Sequence, residues 1–181
     1  PQVQIILKSL TPPEQQAALE QGEIDIAFTR PPMTARHIHS EAVLCDELRV
    51  FIRDDHPLAD SPHIHPRQLG AIPQVRTDPA FSGALSQTAE KYLSDYNVPA
   101  EEALVSSNIL TSMNLVAGGF GFALLPAYAE AFSPRNVVSR PVTGEPPTLD
   151  LIMAHNLHAD DRLASLMTLM DLVRDSVQAL A

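Results

Sequence analysis

Residues 116–126 read VAGGFGFALLP. Gly118, Gly119 and Gly121 fall within four positions, and the whole chain has only seven glycines. The order of the flanking elements decides the reading. A dinucleotide cradle runs strand, then G-x-G-x-x-G, then helix. Here NILTSMNLVAGG, which has a helical pattern, comes first, and the strand-like GFALLP follows. Leu124 also stands where a third glycine would be needed. The run therefore reads as scaffold. Gly118 or Gly119 takes the left-handed conformation past a helix end, and Gly121 lets the next strand pass close to a neighbour.

The same alternation extends in both directions. VQIILK (3–8) reads as a strand. TPPEQQAALEQG reads as a helix with Thr11 as cap, Pro12 in the first turn, Glu14 completing a capping box and Gly22 at the end. IDIAF (24–28) reads as a short strand buried on both faces, so residues 3–28 form a strand–helix–strand unit with a parallel pair. RPPMTARHIHS reads as a loop, ELRVFIR (47–53) as a strand, PRQL as a short helix and AIPQV (71–75) as a strand. SGALSQTAEKYLSDY (82–96) is amphipathic, with Leu85, Ala89, Tyr92, Leu93 and Tyr96 on one side. EALVSS, VVSRPV and TLDLIMAH (148–155) read as further strands, and a final helix starts at Asp160 or Asp161. Strands alternating with helices imply α/β with mostly parallel sheets.

Composition narrows the function. The chain has 181 residues, enough for one ordinary domain or two small lobes. Its net charge is −10, from 12 basic and 22 acidic residues, which repels nucleic-acid phosphates. No apolar run approaches the ~20 residues of a membrane-spanning helix. The single cysteine, Cys45, cannot form an internal disulfide, fits a reducing cytoplasm and reads as a buried filler. The chain opens PQVQIILKSL, in mid-pattern and without a signal-peptide start, as a piece of a longer protein would.

No catalytic arrangement is present: no G-x-S-x-G, H-E-x-x-H or C-x-x-C. HIH occurs at 37–39 and at 63–65, but both copies read as solvated loops, so no metal site and no cofactor are expected. The polar residues that follow strands remain. Ser9, Leu10 and Thr11 follow the first strand and lead into a helix start. Thr29 and Arg30 follow the second, and Arg76 and Thr77 follow AIPQV, which ends in Val75. Ligands of open parallel sheets bind outside the strands' carboxyl ends, helix starts favour anions, and arginine grips a carboxylate with two bonds. The alternative reading of these residues is capping and hydration.

ALEQGEIDIAFTRPP, LRVFIRDDHPLA and LVAGGFGFALLPAY together resemble the effector-binding domain of LysR-type transcriptional regulators. The first motif rests on Leu19, Gly22, Asp25, Ala27 and Phe28, the second on His56 to Ala59, and the third on Ala117 to Pro126. The resemblance spans essentially the whole chain. It implies two α/β lobes like those of type 2 periplasmic binding proteins, joined by two crossover strands. Lobe one would be residues 1–46 plus 148–181, lacking an earlier strand and helix. Lobe two would be residues 47–147. The DNA-binding winged helix-turn-helix would lie outside this chain.

The resemblance further implies a small effector bound in the inter-lobe cleft, a carboxylate with aromatic and dicarboxylic acids among the candidates. Ser9, Leu10, Thr11, Thr29, Arg30, Val75, Arg76 and Thr77 would line that cleft. Pro12 and Pro13 stand where family members often carry Ser or Thr, which would leave the hydroxyl role to Ser9 or Thr11. Expected partners are the effector and further copies of the chain, as a homodimer or homotetramer. DNA would be met only through the absent domain, and no membrane is involved. The rival readings are a solute-binding protein of a transporter and a small-molecule enzyme on the same scaffold.

Overall fold

The computed structural model describes residues 4–99, 102–157 and 163–178. The chain divides into two compact units, Pro1–Cys45 with Asp150–Ala181, and Asp46–Leu149. Two strands carry the chain from one to the other: β2 (Ile38–Arg53) and β7 (Thr148–Asn156).

In the first unit, α1 (Pro12–Glu20) leads into β1 (Ile26–Thr29), which pairs antiparallel with β7, Ala27 opposite Ala154. One side of these strands packs on α1 through Leu19, Ala27 and Ala154, with Ile24, Met33 and Ile38 around them. The other side packs on α4 (Leu163–Gln178) through Met153, Leu166 and Met170, joined by Ile26, Val43 and Val173. The expected start of α4 at Asp160 or Asp161 lies outside the described residues.

The second unit is built on the apolar half of β2. Val50 pairs antiparallel with Leu124 of β5 (Ala123–Pro126) and with Arg140 of β6 (Val137–Arg140). β3 (Gln74–Thr77) and β4 (Glu102–Ser106) pair parallel, with Thr77 beside Ser106. α2 (Pro79–Asp95) buries Leu85, Ala89, Tyr92 and Leu93 of the expected stripe, while Tyr96 is half-buried just past its end, and the helix has a non-helical kink at Ser82. α3 (Ile109–Ala117) buries Met113 and Val116. Phe51, Phe122, Leu48, Ile52 and Leu125 are among the largest fully buried side chains of this core. Short 3-10 turns at Pro57–Asp60, Pro66–Ala71 and Ala127–Phe132 bridge the rest.

The glycine run behaves as scaffold. Gly119 sits past the end of α3 at φ 86°, and the amides of Gly119 and Phe120 bond back to Val116 and Leu115. Gly121, at φ 128°, lies against the backbone of Pro73. That approach lets Phe122 donate to the Pro73 carbonyl and Val75 donate to that of Phe122, at 3.0 and 2.8 Å.

Several expectations are corrected. Residues 4–8 of VQIILK form no strand; Ile5, Ile6 and Leu7 are 61%, 74% and 91% exposed. Alternating branched residues make a strand only beside a partner strand, and none lies beside them among the described residues. β1 therefore has no parallel partner from the first segment and pairs antiparallel with β7 instead. Nor is it buried on both faces, since Phe28 is exposed. β2 begins at Ile38, so His39 lies on a strand and not in a loop. Arg76 and Thr77 are the last two residues of β3, not residues beyond it. Cys45 is exposed on β2, not buried. Parallel pairing is present in β3–β4, whereas the strands that link the units pair antiparallel with β1, β5 and β6.

Candidate functional site

In the first unit the loop Ser9–Thr11 enters α1, whose Pro12 fits the first turn because its missing N–H has no partner to lose. The amide and the Oγ1 of Thr11 both donate to Glu14 Oε2, each at 2.7 Å. The Thr11 hydroxyl, and after it the Thr11 amide, hold the Glu14 carboxyl below its ordinary pKa. This hydroxyl is thus engaged by the cap, while Ser9 is exposed and Leu10 half-buried.

One turn further along α1, Gln15 donates from Nε2 to the Phe28 carbonyl at 3.2 Å. That bond ties the helix start to the carboxyl end of β1. Gln15 Oε1 is buried without a hydrogen-bond partner, and so is Oγ1 of the buried Thr29, which follows Phe28. Buried polar atoms are nearly always hydrogen-bonded, so two orphan oxygens flanking one strand end mark a place where a polar ligand or water belongs. Arg30 comes next and is half-buried. Hydroxyl, amide oxygen and guanidinium are a donor–acceptor set suited to a carboxylate with a second polar group. Nothing local in the sequence pointed to Gln15; its role comes from a contact 13 residues away.

In the second unit, strands β3 and β4 end side by side and each leads into a helix. Asp78 caps α2, accepting from the Ala80 amide at 2.8 Å, and donates its own amide to the Ser106 carbonyl at 2.8 Å. Asn108 caps α3, accepting from the Thr111 amide at 2.9 Å. Side chains alternate along β3: Val75 and Thr77 are buried, and the Arg76 guanidinium pairs with Glu90 of α2. Ser86 donates to the same Glu90 oxygen at 3.0 Å. Arg76 and Glu90 border an open groove of about 500 Å³ with Leu93, Ser94, Asn97, Val98 and Pro99. Val75, Arg76 and Thr77 thus do not act as one surface, because neighbours on a strand point to opposite faces.

Sequence reasoning passed over Ser106 and Ser112. Both are buried, with their hydroxyls 2.5 Å apart beneath the start of α3. The signal was present in the small polar run SSN before a helical pattern. Phe81, in the first turn of α2, is 54% exposed and offers an aromatic face beside this strand end.

Among the described residues, no group of three or more His, Cys, Asp or Glu is placed to hold a metal ion. Nor is any helix among them long and apolar enough to cross a membrane.

Two α/β units linked by two strands are the fold of type 2 periplasmic binding proteins. The chain matches the LysR substrate binding domain family over residues 1–178, and it belongs to that family. It is 34% identical over 154 residues to the Hca operon transcriptional activator HcaR of Escherichia coli, covering 85% of this chain and 52% of that protein. It is 29% identical over 146 residues to the transcriptional regulator MetR of Escherichia coli, covering 80% of this chain and 45% of that one. The chain therefore spans about half the length of these relatives, which are transcriptional regulators. In fold it resembles the BenM effector-binding domain with its effector benzoate, at a TM-score of 0.79 and 20% identity, covering 94% of this chain and 77% of that one.

Proposed function

We propose that this chain is the effector-sensing part of a LysR-type DNA-binding transcriptional regulator, with no catalytic role of its own. Its ligand is a small carboxylate, and an aromatic acid fits best. The observation that carries this reading is the strand end of β1, where buried Thr29 has an unpartnered Oγ1 and Arg30 follows directly. An arginine beside a desolvated hydroxyl recognises an anion with directional bonds. Gln15 and Ser9 complete the site in the first unit. In the second unit, buried Thr77 and the exposed aromatic face of Phe81 make a separate candidate contact for such an acid. The two units are the two lobes of the sensor. A structural neighbour whose effector is benzoate supports the aromatic lean.

Effector binding works by differential affinity: whichever arrangement of the domain holds the ligand better gains population. The readout passes through self-association and a separate DNA-binding part, in a cytoplasmic protein. The acidic surface, net −10, suits a sensor that leaves phosphate contacts to another domain. Chemical-shift mapping with benzoate tests the site. Shifts centred on Gln15, Thr29 and Arg30 support it; shifts confined to the groove beside Arg76 and Glu90 would move the ligand elsewhere.

A further inference from the structure

The histidines of the first unit have a placement that effector binding does not use. β2 and β7 run antiparallel as neighbours in one sheet: the Leu157 amide donates to the His37 carbonyl at 2.9 Å, and the Leu48 amide to the Pro147 carbonyl at 2.8 Å. Between these two bonds His39 of β2 faces His155 of β7, with ring centres 5.4 Å apart and planes inclined by 59°. His39 is exposed. His155 is 9% exposed, and its Nδ1 has no hydrogen-bond partner.

A buried ring nitrogen without a partner is rare, and the ring beside it offers a second nitrogen. We propose that His39 and His155 form a two-imidazole site for a divalent transition-metal ion. Two imidazoles bound at about 2.0–2.1 Å to one ion hold their ring centres roughly 5 Å apart. Exposed His39 closes the small remaining difference by rotating its side chain. Imidazole nitrogens suit copper(II), nickel(II) and zinc(II), with copper(II) bound tightest, and they do not suit magnesium or calcium, which take oxygen ligands. Among the described residues no third ligating side chain joins the pair, so water fills the other coordination positions. A bound ion cross-links β2 to β7, the two strands through which the chain passes between its units, and stabilises the folded state by mass action.

The test is copper(II) titration of the untagged chain, followed by electron paramagnetic resonance and thermal melting. The expected result is one site with two imidazole nitrogens on copper and a melting temperature that rises with added metal. His39→Ala, at an exposed position, lowers copper affinity at least tenfold and abolishes the rise. His37→Ala and His63→Ala leave both within twofold. Equal copper affinity in His39→Ala and the parent chain overturns the proposal, as does loss of binding in His63→Ala or an equal response to magnesium.

Discussion

The carbonyl oxygen of Pro73 occupies the space where a side chain at Gly121 would begin: a Cβ there would lie 1.9 Å away. The contact is backbone on both sides, so no rotamer change relieves it. Gly121 also sits at φ 128°, a conformation that side chains rarely adopt. Gly121→Ala is therefore expected to destabilise the second unit by about 3 kcal/mol or more, combining strain and a broken β3–β5 approach. Urea denaturation measures it. A loss below about 1 kcal/mol would mean that the strands do not pass this closely.

Thr29→Val separates folding from binding. The Thr29 hydroxyl is buried and unpartnered, so replacing it with a methyl of similar shape removes a desolvation cost. Stability should hold or rise by about 1 kcal/mol, while affinity for a carboxylate effector falls by about the same amount. Thermal melting and calorimetry on the same variant give the two signs. A destabilised Thr29→Val would show that the hydroxyl is already satisfied within the fold.

The cap of α1 predicts a pH effect. The Thr11 hydroxyl and amide lower the folded-state pKa of Glu14 relative to the unfolded chain. The linked stabilisation is complete above the unfolded value and fades as pH falls through the folded one. Thr11→Val deletes the hydroxyl bond and leaves the amide bond. The Glu14 carboxyl should then titrate closer to its ordinary value in a carbon-13 NMR titration. An unmoved midpoint would remove Thr11 Oγ1 as the main cause.

Apolar residues of similar type differ sharply in what they contribute. Ile6 is 74% exposed, so Ile6→Lys should change the stability of this chain by no more than about 0.5 kcal/mol. Leu19 is fully buried between α1 and the strands, and Leu19→Ala should cost about 2–5 kcal/mol. Chemical denaturation of the pair checks the contrast. A large loss from Ile6→Lys would place that residue in a packed strand after all.

What the sequence disclosed depends on how local the physics is. Gly118 and Gly119 after an apolar helix, and Pro12 with Glu14 at a helix start, act over one turn, so the ends of α3 and α1 were readable. The stripe Leu85, Ala89, Tyr92 and Leu93 was readable because a helix repeats its own pattern. Strand pairing is not local. Ile5 to Leu7 have strand character without a partner strand, and Ile38 to Ser40 form a strand because β7 lies beside them, despite a polar sequence. The candidate site divides the same way. Thr29 and Arg30 stand out as polar residues after a short apolar run, whereas Gln15 enters only through its bond to Phe28. The turn of Arg76 toward Glu90 follows from where β3 starts, and a shift of three residues in that start misplaced it.

The most direct test of effector sensing is isothermal titration of the folded chain with benzoate and with an unsaturated dicarboxylate, repeated on Arg30→Ala. Saturable one-to-one binding of at least one acid is expected, with Arg30→Ala weakening it by about 1.5–3 kcal/mol, as loss of a hydrogen bond to a charged group requires. Equal affinity in Arg30→Ala, or no saturable heat from either acid with the chain folded, would contradict the account.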